Sequence, residues 1–170
     1  LMDTTQNTKD IETLFAGARA ALPQLLALVE GLAADFGGVG FVGPIKTRES
    51  AMRKAQADFG GDYSRLLDLC RSTVMVNDGA KIADLFCALA ERAKIVRVKD
   101  RFARPVMGYR DMLVNVEIDG HICEVQIHVR AILDVKEIIH PAYEFYRITH
   151  CPVAGAWMEI AYDHAFAGLL

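Results

Sequence analysis

Residues 111–129 read DMLVNVEIDGHICEVQIHV and contain the strongest structural signal of the sequence. Two runs of alternating apolar residues flank Asp119-Gly120, a dipeptide that is the strongest short-range signal for a two-residue β-hairpin turn. The turn fixes the register, so that Ile118 faces His121 and each further pair lies one residue farther from the turn. Because successive side chains point to opposite faces of a strand, one face of this hairpin is largely apolar and the other carries polar and acidic groups.

The polar face of the hairpin is the first candidate for a functional surface. An ordinary half-exposed sheet would also turn such a face to water. Glu124, however, lies near the middle of the hairpin, where a lone carboxylate is costly unless it is paired or binds a metal. Asp68, which opens an earlier predicted strand, could supply a second carboxylate for a Mg²⁺-polyphosphate site. The pairs on this face are Glu117 with Ile122, Asn115 with Glu124, Leu113 with Gln126, and Asp111 with His128.

Outward from the hairpin, the sequence predicts an α+β fold with a mixed, mostly antiparallel sheet flanked by helices. Periodicity near 3.6 predicts two helices between residues 8 and 36, with a break near residue 22, because Pro23 is suited to opening a second helix. The glycines between residues 37 and 43 end this helical pattern. Further helices are predicted at 48–58, 81–93, 130–147 and 154–169, and further strands at 69–76 and 95–99.

The chain has 170 residues, of which 52% are apolar, and a formal charge of -3 at pH 7. We therefore expect residues 1–170 to form a single domain, with residues 1–8 disordered. The start at Leu1 followed by Met2 suggests a domain excised from a longer chain. No apolar stretch reaches the roughly 18 residues of a membrane span, so no membrane partner is expected. The cysteines are far apart and form no C-x-x-C pair, which favours reduced core thiols over a disulfide or metal set.

The positive charge is concentrated in two segments of a chain that is otherwise acidic. Residues 44–54 have a net charge of +3, and residues 91–110 have a net charge of +5. This distribution favours a compact polyphosphate ligand over a long nucleic acid, which needs a basic surface overall. Two solvated charged faces are the alternative. The second segment brings Arg97, Lys99, Arg101, Arg104 and Tyr109 to the end of the sheet where the hairpin begins.

Two phosphate-binding motifs are present only in part. Residues 38–43 match G-x-G-x-x-G, but they follow a predicted helix, whereas the dinucleotide-binding fingerprint needs a strand before it and a helix after it. Pro44 and Ile45 separate Gly43 from Lys46 and interrupt the G-K-[ST] run of a P-loop. The histidines do not have zinc-binding spacings. The chemistry is therefore expected to depend on carboxylates and cations.

The order of the remaining motifs resembles the synthetase domain of the RelA/SpoT-type alarmone enzymes. The E-V-Q-I of residues 124–127 is identical to the most specific motif of that family. The resemblance extends over about residues 42–147 and includes residues 45–50 (IKTRES) with Lys54, residues 66–71 (LLDLCR), residues 97–100 (RVKD) and residues 108–112 (GYRDM).

This resemblance implies a nucleotidyltransferase-like synthetase fold and an ATP-dependent pyrophosphokinase with Mg²⁺ as its cofactor. The toxin branch of the family, which includes type VI secretion effectors, further implies transfer to the 3′-hydroxyl of adenosine nucleotides, (p)ppApp as product and ATP depletion in the cytoplasm of a target cell. A larger secreted effector and a cognate immunity protein would then exist. By the same resemblance, Lys46, Ser50, Lys54, Arg97 and Lys99 would bind ATP, Asp68 and Glu124 would be catalytic and hold the metal, and Tyr109, Arg104, Gln126 and His128 would bind the acceptor.

Departures from the family pattern fall mainly around the acceptor. Leu113 stands where the family has a histidine, and Arg110-Asp111 replaces Gln-Ser. Val106-Met107 lacks a lysine, and Pro44 replaces an arginine. The donor and metal positions are kept, so we expect the chemistry to survive and the choice of acceptor to stay open. The alternatives are a (p)ppGpp synthetase acting on GDP or GTP, a toxin that pyrophosphorylates the 3′ end of tRNA, and a catalytically dead nucleotide-binding module.

Overall fold

The computed structural model describes residues 4–167, which form a five-stranded sheet with helices packed against it. The strands are β1 (Val39–Val42), β2 (Arg71–Val76), β3 (Lys94–Asp100), β4 (Met112–Ile118) and β5 (His121–Val129). The α-helices are α1 (Ile11–Phe36), α2 (Arg48–Phe59), α3 (Ile82–Arg92), α4 (Arg130–Thr149) and α5 (Pro152–Ala167), and short 3₁₀ helices lie at Tyr63–Arg65 and Gly79–Lys81.

The strand order is β1-β2-β5-β4-β3. Neighbouring strands are antiparallel except for β2 and β5, which are parallel. The predicted α+β class with a mixed, mostly antiparallel sheet is therefore confirmed.

The hairpin formed by β4 and β5 has the predicted register, with Ile118 opposite His121. Both turn residues have positive φ angles, 49° at Asp119 and 75° at Gly120. A type I′ turn requires this left-handed conformation at both central positions, which is why Asp-Gly is so strong a hairpin signal.

Both faces of the hairpin are buried, so the polar face is not the solvated side of the sheet. Helix α1 covers the apolar face, where Gly17 lies against His121. On the opposite face, Asn115 and His128 are each 1% exposed. The amide of Asn115 donates a hydrogen bond to the carbonyl oxygen of Leu67, in the segment before β2 (3.4 Å). Except at Glu117 near the turn, which pairs with Lys94 at the surface, the polar face of the hairpin is thus covered by protein, which excludes the explanation that it simply faces water.

Helix α1 is one continuous helix of 26 residues, so the predicted break near residue 22 is wrong. Pro23 lies inside the helix, where proline removes a backbone hydrogen bond and costs about 3 kcal/mol. The apolar stripe continues on both sides of it, with Leu14, Leu25 and Leu32 buried against the core. Each such side chain contributes roughly 1.5–3 kcal/mol, so packing of the whole stripe outweighs the proline.

Strand β1 lies at the edge of the sheet, antiparallel to β2, where the sequence pattern predicts no strand. The sequence does not predict β1 because glycine weakens the strand signal and often marks a close approach of backbones. A Cβ at Gly40 would lie 2.2 Å from the carbonyl oxygen of Val29 in α1. The G-x-G-x-x-G residues therefore form an edge strand and its flanks, and not a phosphate-binding loop between a strand and a helix.

Gln6 is docked on the molecule, within the segment 1–8 for which the sequence predicts disorder. The Gln6 side chain is 4% exposed. Its amide donates to the carbonyl oxygens of Leu66 (3.1 Å) and Ile122 (2.9 Å), and its oxygen accepts from the Ile122 N–H (2.9 Å). Gln6 thereby satisfies buried backbone groups that would otherwise lack partners. Residues 1–3 lie outside the described part of the chain.

The cysteines are free thiols, as predicted. Cys70 and Cys123 are buried in the core, whereas Cys87 is exposed on α3 and is not a core thiol. None of the helices in residues 4–167 combines the length and the apolar composition needed to span a bilayer.

Candidate active site

Asp68 is the centre of an ion cluster that joins two of the predicted motifs. Its Oδ2 accepts hydrogen bonds from Lys46 Nζ (2.9 Å) and Lys54 Nζ (2.7 Å). Thr47 caps α2 by accepting from the backbone N–H of Ser50 (3.3 Å), and this cap places Ser50 in the helical turn before Lys54. Burial raises the pKa of Asp68, but the hydrogen bonds from the two lysines outweigh burial and hold the pKa below its ordinary value. Asp68 is therefore an ionised carboxylate.

Glu124 lies beside this cluster because β2 and β5 are parallel. Its backbone N–H donates to the carbonyl oxygen of Cys70 (2.9 Å), two residues after Asp68. The Glu124 side chain is 8% exposed, and its Oε1 accepts from Gln126 Nε2 (2.7 Å). Burial raises the pKa of Glu124, and together with the negative charge of Asp68 it outweighs the hydrogen bond from Gln126. The two carboxylates are thus electrostatic neighbours with pKa values shifted in opposite directions.

Arg71 is a candidate functional residue that the sequence analysis does not identify. It lies directly opposite Glu124 in the β2–β5 pair. Among the described residues, the buried atoms without a hydrogen-bond partner include Arg71 Nε and Asp68 Oδ1. An unpartnered guanidinium N–H beside a carboxylate is suited to an anionic oxygen of a ligand. Arg71 lies only three residues after Asp68 in the sequence. The sequence pattern, however, does not reveal the parallel pairing that brings Arg71 to Glu124.

The cations of β3 lie on the same face of the sheet as Glu124. Arg97 is opposite Asn115 in β4, and Lys99 is opposite Leu113. Burial lowers the pKa of Lys99, and the charges of Arg97 and Arg101 lower it further, whereas Glu124 opposes this change. The basic segments at 44–54 and 91–110 therefore meet around the two carboxylates, as a polyphosphate site requires.

A cavity of about 330 Å³ lies beside the cluster, between the sheet and helices α4 and α5. Its lining combines polar groups from the sheet and the preceding loop with apolar groups from the helices. These groups include Arg101, Tyr109, Gln126, Lys136, Tyr143 and Met158. A cavity with apolar walls and a few convergent polar groups is typical of a small-molecule site.

Tyr109 is fixed in the wall of this cavity. Its hydroxyl donates to Asp111 Oδ2 (2.9 Å) and accepts from Lys136 Nζ (3.3 Å). Asp111 is fully buried and also binds Arg101 through both of its oxygens (2.5 and 2.7 Å). The ring centroid of Tyr109 lies 5.4 Å from that of Tyr162 in α5. Burial raises the pKa of Tyr109, and Asp111 raises it further, so the phenol stays protonated. Neither Lys136 nor Tyr162 is predicted from the sequence, because their helical spacing gives no functional signal.

Two predicted acceptor-binding residues do not line the cavity. Arg104 is exposed in the loop before Tyr109, and His128 is only 1% exposed beneath the cavity wall. The prediction that His128 lies on the polar face of the hairpin is correct, but protein covers the face at that position. His128 instead contacts Gln126 and Tyr109. Gln126 and Tyr109 are therefore the predicted acceptor residues that reach the cavity.

No protein-family model matches the chain. Its sequence is 35% identical over 127 residues to the (p)ppApp synthetase toxin Tas1 of Pseudomonas aeruginosa (strain UCBPP-PA14), and this match covers 74% of the chain. It covers 28% of Tas1, so the chain spans little more than a quarter of the length of this relative.

Solved structures of alarmone synthetases have the same fold. The type VI effector Tas1, in its crystal structure with its immunity protein, superposes with a TM-score of 0.76 at 28% identity, covering 96% of this chain and 100% of that chain. The small alarmone synthetase 1 of Bacillus subtilis bound to its product pppGpp superposes with a TM-score of 0.75 at 18% identity, covering 92% and 91%. The resemblance stated from the motifs is therefore confirmed: the chain is similar in sequence to a (p)ppApp synthetase toxin and has the fold of the small alarmone synthetases.

Proposed function

We propose that this chain transfers the β,γ-pyrophosphate of ATP to the 3′-hydroxyl of an adenosine nucleotide and so makes (p)ppApp. The observation that carries this proposal is the juxtaposition of Asp68, in the segment just before β2, and Glu124, in the parallel strand β5, with cations from two separate segments around them. Its sequence similarity to Tas1, a (p)ppApp synthetase toxin, favours adenosine as the acceptor.

The donor ATP is assigned to the two basic segments. Lys46 and Lys54, which bind Asp68, lie at the start and end of the segment that also carries Ser50. Arg97 and Lys99 approach from β3 on the same face of the sheet. Phosphoryl transfer depends mainly on positioning and on neutralising charge, so this cation set can supply most of what the reaction needs. Arg71 adds a guanidinium next to the reacting centre.

The same carboxylates fit Mg²⁺. Asp68 Oδ1 is buried without a hydrogen-bond partner, and the negative charge of Asp68 raises the pKa of Glu124. Within residues 4–167, no three His, Cys, Asp or Glu side chains form a metal-binding group. Mg²⁺ is usually bound by one or two carboxylates together with water and substrate phosphates, so Asp68 and Glu124 are sufficient. When bound, the ion would neutralise the charge of the transferred group.

Glu124 is the group that we assign to the acceptor hydroxyl. Its raised pKa brings the carboxylate closer to the operating pH, which makes it a better acceptor for a proton. The proton of the 3′-hydroxyl passes to Glu124 as the oxygen attacks the β-phosphorus, and AMP leaves. The acceptor base is assigned to the cavity beside Tyr109 and Gln126. Every base offers a π-face to an aromatic ring, so the choice of adenine rests on the similarity to Tas1.

The biological context is also proposed by similarity. The Tas1 structure is a complex of a type VI effector with its immunity protein. By analogy, this chain acts on purine nucleotides in the cytoplasm of a target cell, and a cognate immunity protein blocks it.

The experiment that tests the function is incubation with Mg²⁺ and labelled ATP, alone and with AMP, ADP, GDP, GTP or tRNA, followed by anion-exchange separation. We expect a more highly charged adenosine nucleotide from ATP alone or with AMP or ADP. Product only with guanine nucleotides would contradict the choice of acceptor, labelled tRNA would identify a tRNA toxin, and ATP binding without any product would identify a dead module.

The matched variants are Glu124→Gln and Glu117→Gln. Glu117 lies in the neighbouring strand of the same hairpin, where it binds Lys94 at the surface (2.7 Å). Such a surface ion pair contributes about 0–1 kcal/mol to stability. We therefore expect Glu117→Gln to keep its activity and Glu124→Gln to lose it with the fold intact.

A further inference from the structure

Three alternate residues of β5 form a continuous chain of hydrogen bonds. Glu124, Gln126 and His128 point to the same face of the strand because each is two residues from the next. Gln126 Nε2 donates to Glu124 Oε1 (2.7 Å), and Gln126 Oε1 lies 3.1 Å from His128 Nε2. Glu124 and His128 are buried, whereas Gln126 is half-buried and lines the cavity.

The direction of each bond follows from the chemistry of the groups. Gln126 turns its NH₂ group towards Glu124, since its Nε2 is the atom that lies 2.7 Å from the carboxylate oxygen and donates to it. The amide oxygen of Gln126 then faces His128, and because this oxygen only accepts, His128 must carry its proton on Nε2. Burial lowers the pKa of His128 to about 4, so the ring is neutral and Nδ1 has no proton. The hydroxyl of Tyr109 lies 3.5 Å from that Nδ1.

We propose that His128 is a positioning residue that acts through Gln126, fixes the orientation of the Glu124 carboxylate, and links it to the wall of the acceptor cavity. This inference rests on the proposed function, since it concerns how Glu124 is aligned with the acceptor hydroxyl. His128 holds Gln126 in one amide orientation, and Gln126 holds Glu124 Oε1. An acceptor in the cavity contacts Gln126, which His128 orients, and Tyr109, whose hydroxyl lies 3.5 Å from His128 Nδ1.

The kinetic test compares His128→Leu with His128→Gln. Leucine fills similar space but cannot donate to Gln126, whereas the terminal amide of glutamine reaches the position of Nε2 and can. We expect His128→Leu to lower kcat by about 10- to 100-fold, the range found for residues that orient metal ligands, with KM for ATP unchanged. His128→Gln should restore kcat to within a few-fold of the parent. Equal loss in both variants, or no loss in either, would overturn the proposal.

A double variant tests whether His128 acts through Gln126. If it does, adding His128→Leu to Gln126→Met should cause little further loss of kcat, because the amide that His128 orients is already absent. If the loss of kcat in the double variant equalled the product of the two single fold-losses, the two residues would act independently, which would contradict this coupling.

The tautomer of His128 gives a measurement that needs no enzymatic turnover. Two-bond ¹⁵N–¹H spectra of the parent protein, with His128 assigned by comparison with His128→Gln, should show the neutral ring with its proton on Nε2. A proton on Nδ1 would overturn the proposed chain of hydrogen bonds even if the protein makes (p)ppApp. Conversely, an Nε2 proton in a protein that makes no product would contradict the proposed function and leave the hydrogen-bond chain established.

Discussion

Arg71 and Glu124 lie directly opposite each other in the parallel pair of β2 and β5. This relationship places a cation and an acid from distant parts of the sequence side by side. It also explains why Asp68 approaches Glu124, because Asp68 lies just before β2 on the same chain segment. The parallel pair is therefore the structural basis of the proposed chemistry.

Replacement of Arg71 by glutamine should lower kcat by about 100-fold, the scale of losing one donor to a developing charge. The buried Nε of Arg71 lacks a protein partner, which is consistent with binding a phosphate oxygen. Steady-state assays with ATP and ADP measure this effect. Arg92→Gln is the control, since Arg92 pairs with Asp35 on the surface. Parent-like turnover of Arg71→Gln would show that this guanidinium does not contact the transferred group.

Replacement of Asp68 by asparagine should remove the effect of Mg²⁺ on ATP binding. The two lysines that now bind Asp68 would be released to the phosphates, so binding of ATP without metal should be maintained or tightened. Calorimetric titration with ATP, with and without Mg²⁺, measures both effects. Asp35→Asn serves as a surface control. An equal Mg²⁺ effect in Asp68→Asn and the parent would mean that the metal is bound elsewhere.

Stability should fall as the pH drops below about 6.5, the ordinary pKa of histidine. Burial lowers the pKa of His121 to about 4, so between these values the unfolded chain binds a proton that the folded chain does not. Protonation therefore favours unfolding, and at pH 5 this histidine alone should reduce the free energy of unfolding by about 2 kcal/mol relative to pH 8.

Thermal unfolding of the parent and of His121→Leu at pH 5 and pH 8 tests this prediction. The difference in melting temperature between the two pH values should be smaller in the variant. His128, whose pKa burial also lowers to about 4, leaves a residual pH dependence in both proteins. Identical pH dependence of the two proteins would show that His121 does not titrate abnormally.

Replacement of Gly108 by alanine should weaken acceptor binding more than ATP binding. Gly108 has a φ of 76°, and a Cβ there would lie 2.8 Å from the carbonyl oxygen of Glu159 in α5. The loop or α5 must then move, which displaces the neighbouring Tyr109. Separate KM values for acceptor and ATP measure the effect. Gly60→Ala is a matched control, because Gly60 also has a positive φ but an added Cβ would meet nothing within 4 Å. Equal effects of the two substitutions would contradict the role of this loop.

Much of the sheet could be predicted because local signals and burial agree along the hairpin. Asp119-Gly120 fixes the turn, and the period of two then places Glu124, Gln126 and His128 on one face. The pattern does not show that this face is covered. Coverage comes from tertiary packing, which turns His128 from a predicted acceptor ligand into a buried residue.

The wrong break in α1 and the missing prediction of β1 have related causes. Pro23 and the glycines around Gly40 carry strong local signals against a continuous helix and against a strand, respectively. Contacts that are distant in sequence override both, since the stripe of α1 packs on the sheet and β1 needs glycine to approach α1. Arg71 was missed for a similar reason, because its role depends on a partner strand that local pattern does not specify.

The position of a label in the product shows whether a pyrophosphate group moves from ATP to an adenosine nucleotide. The protein is incubated with Mg²⁺, ADP and ATP that is labelled at either the α- or the β-phosphorus, and the products are separated by anion exchange. We predict that the nucleotide formed from the unlabelled ADP carries the β-label and no α-label, and that one AMP is released for each pyrophosphate group transferred. Release of the β-label as ADP, with only the γ-phosphate transferred, would contradict the account.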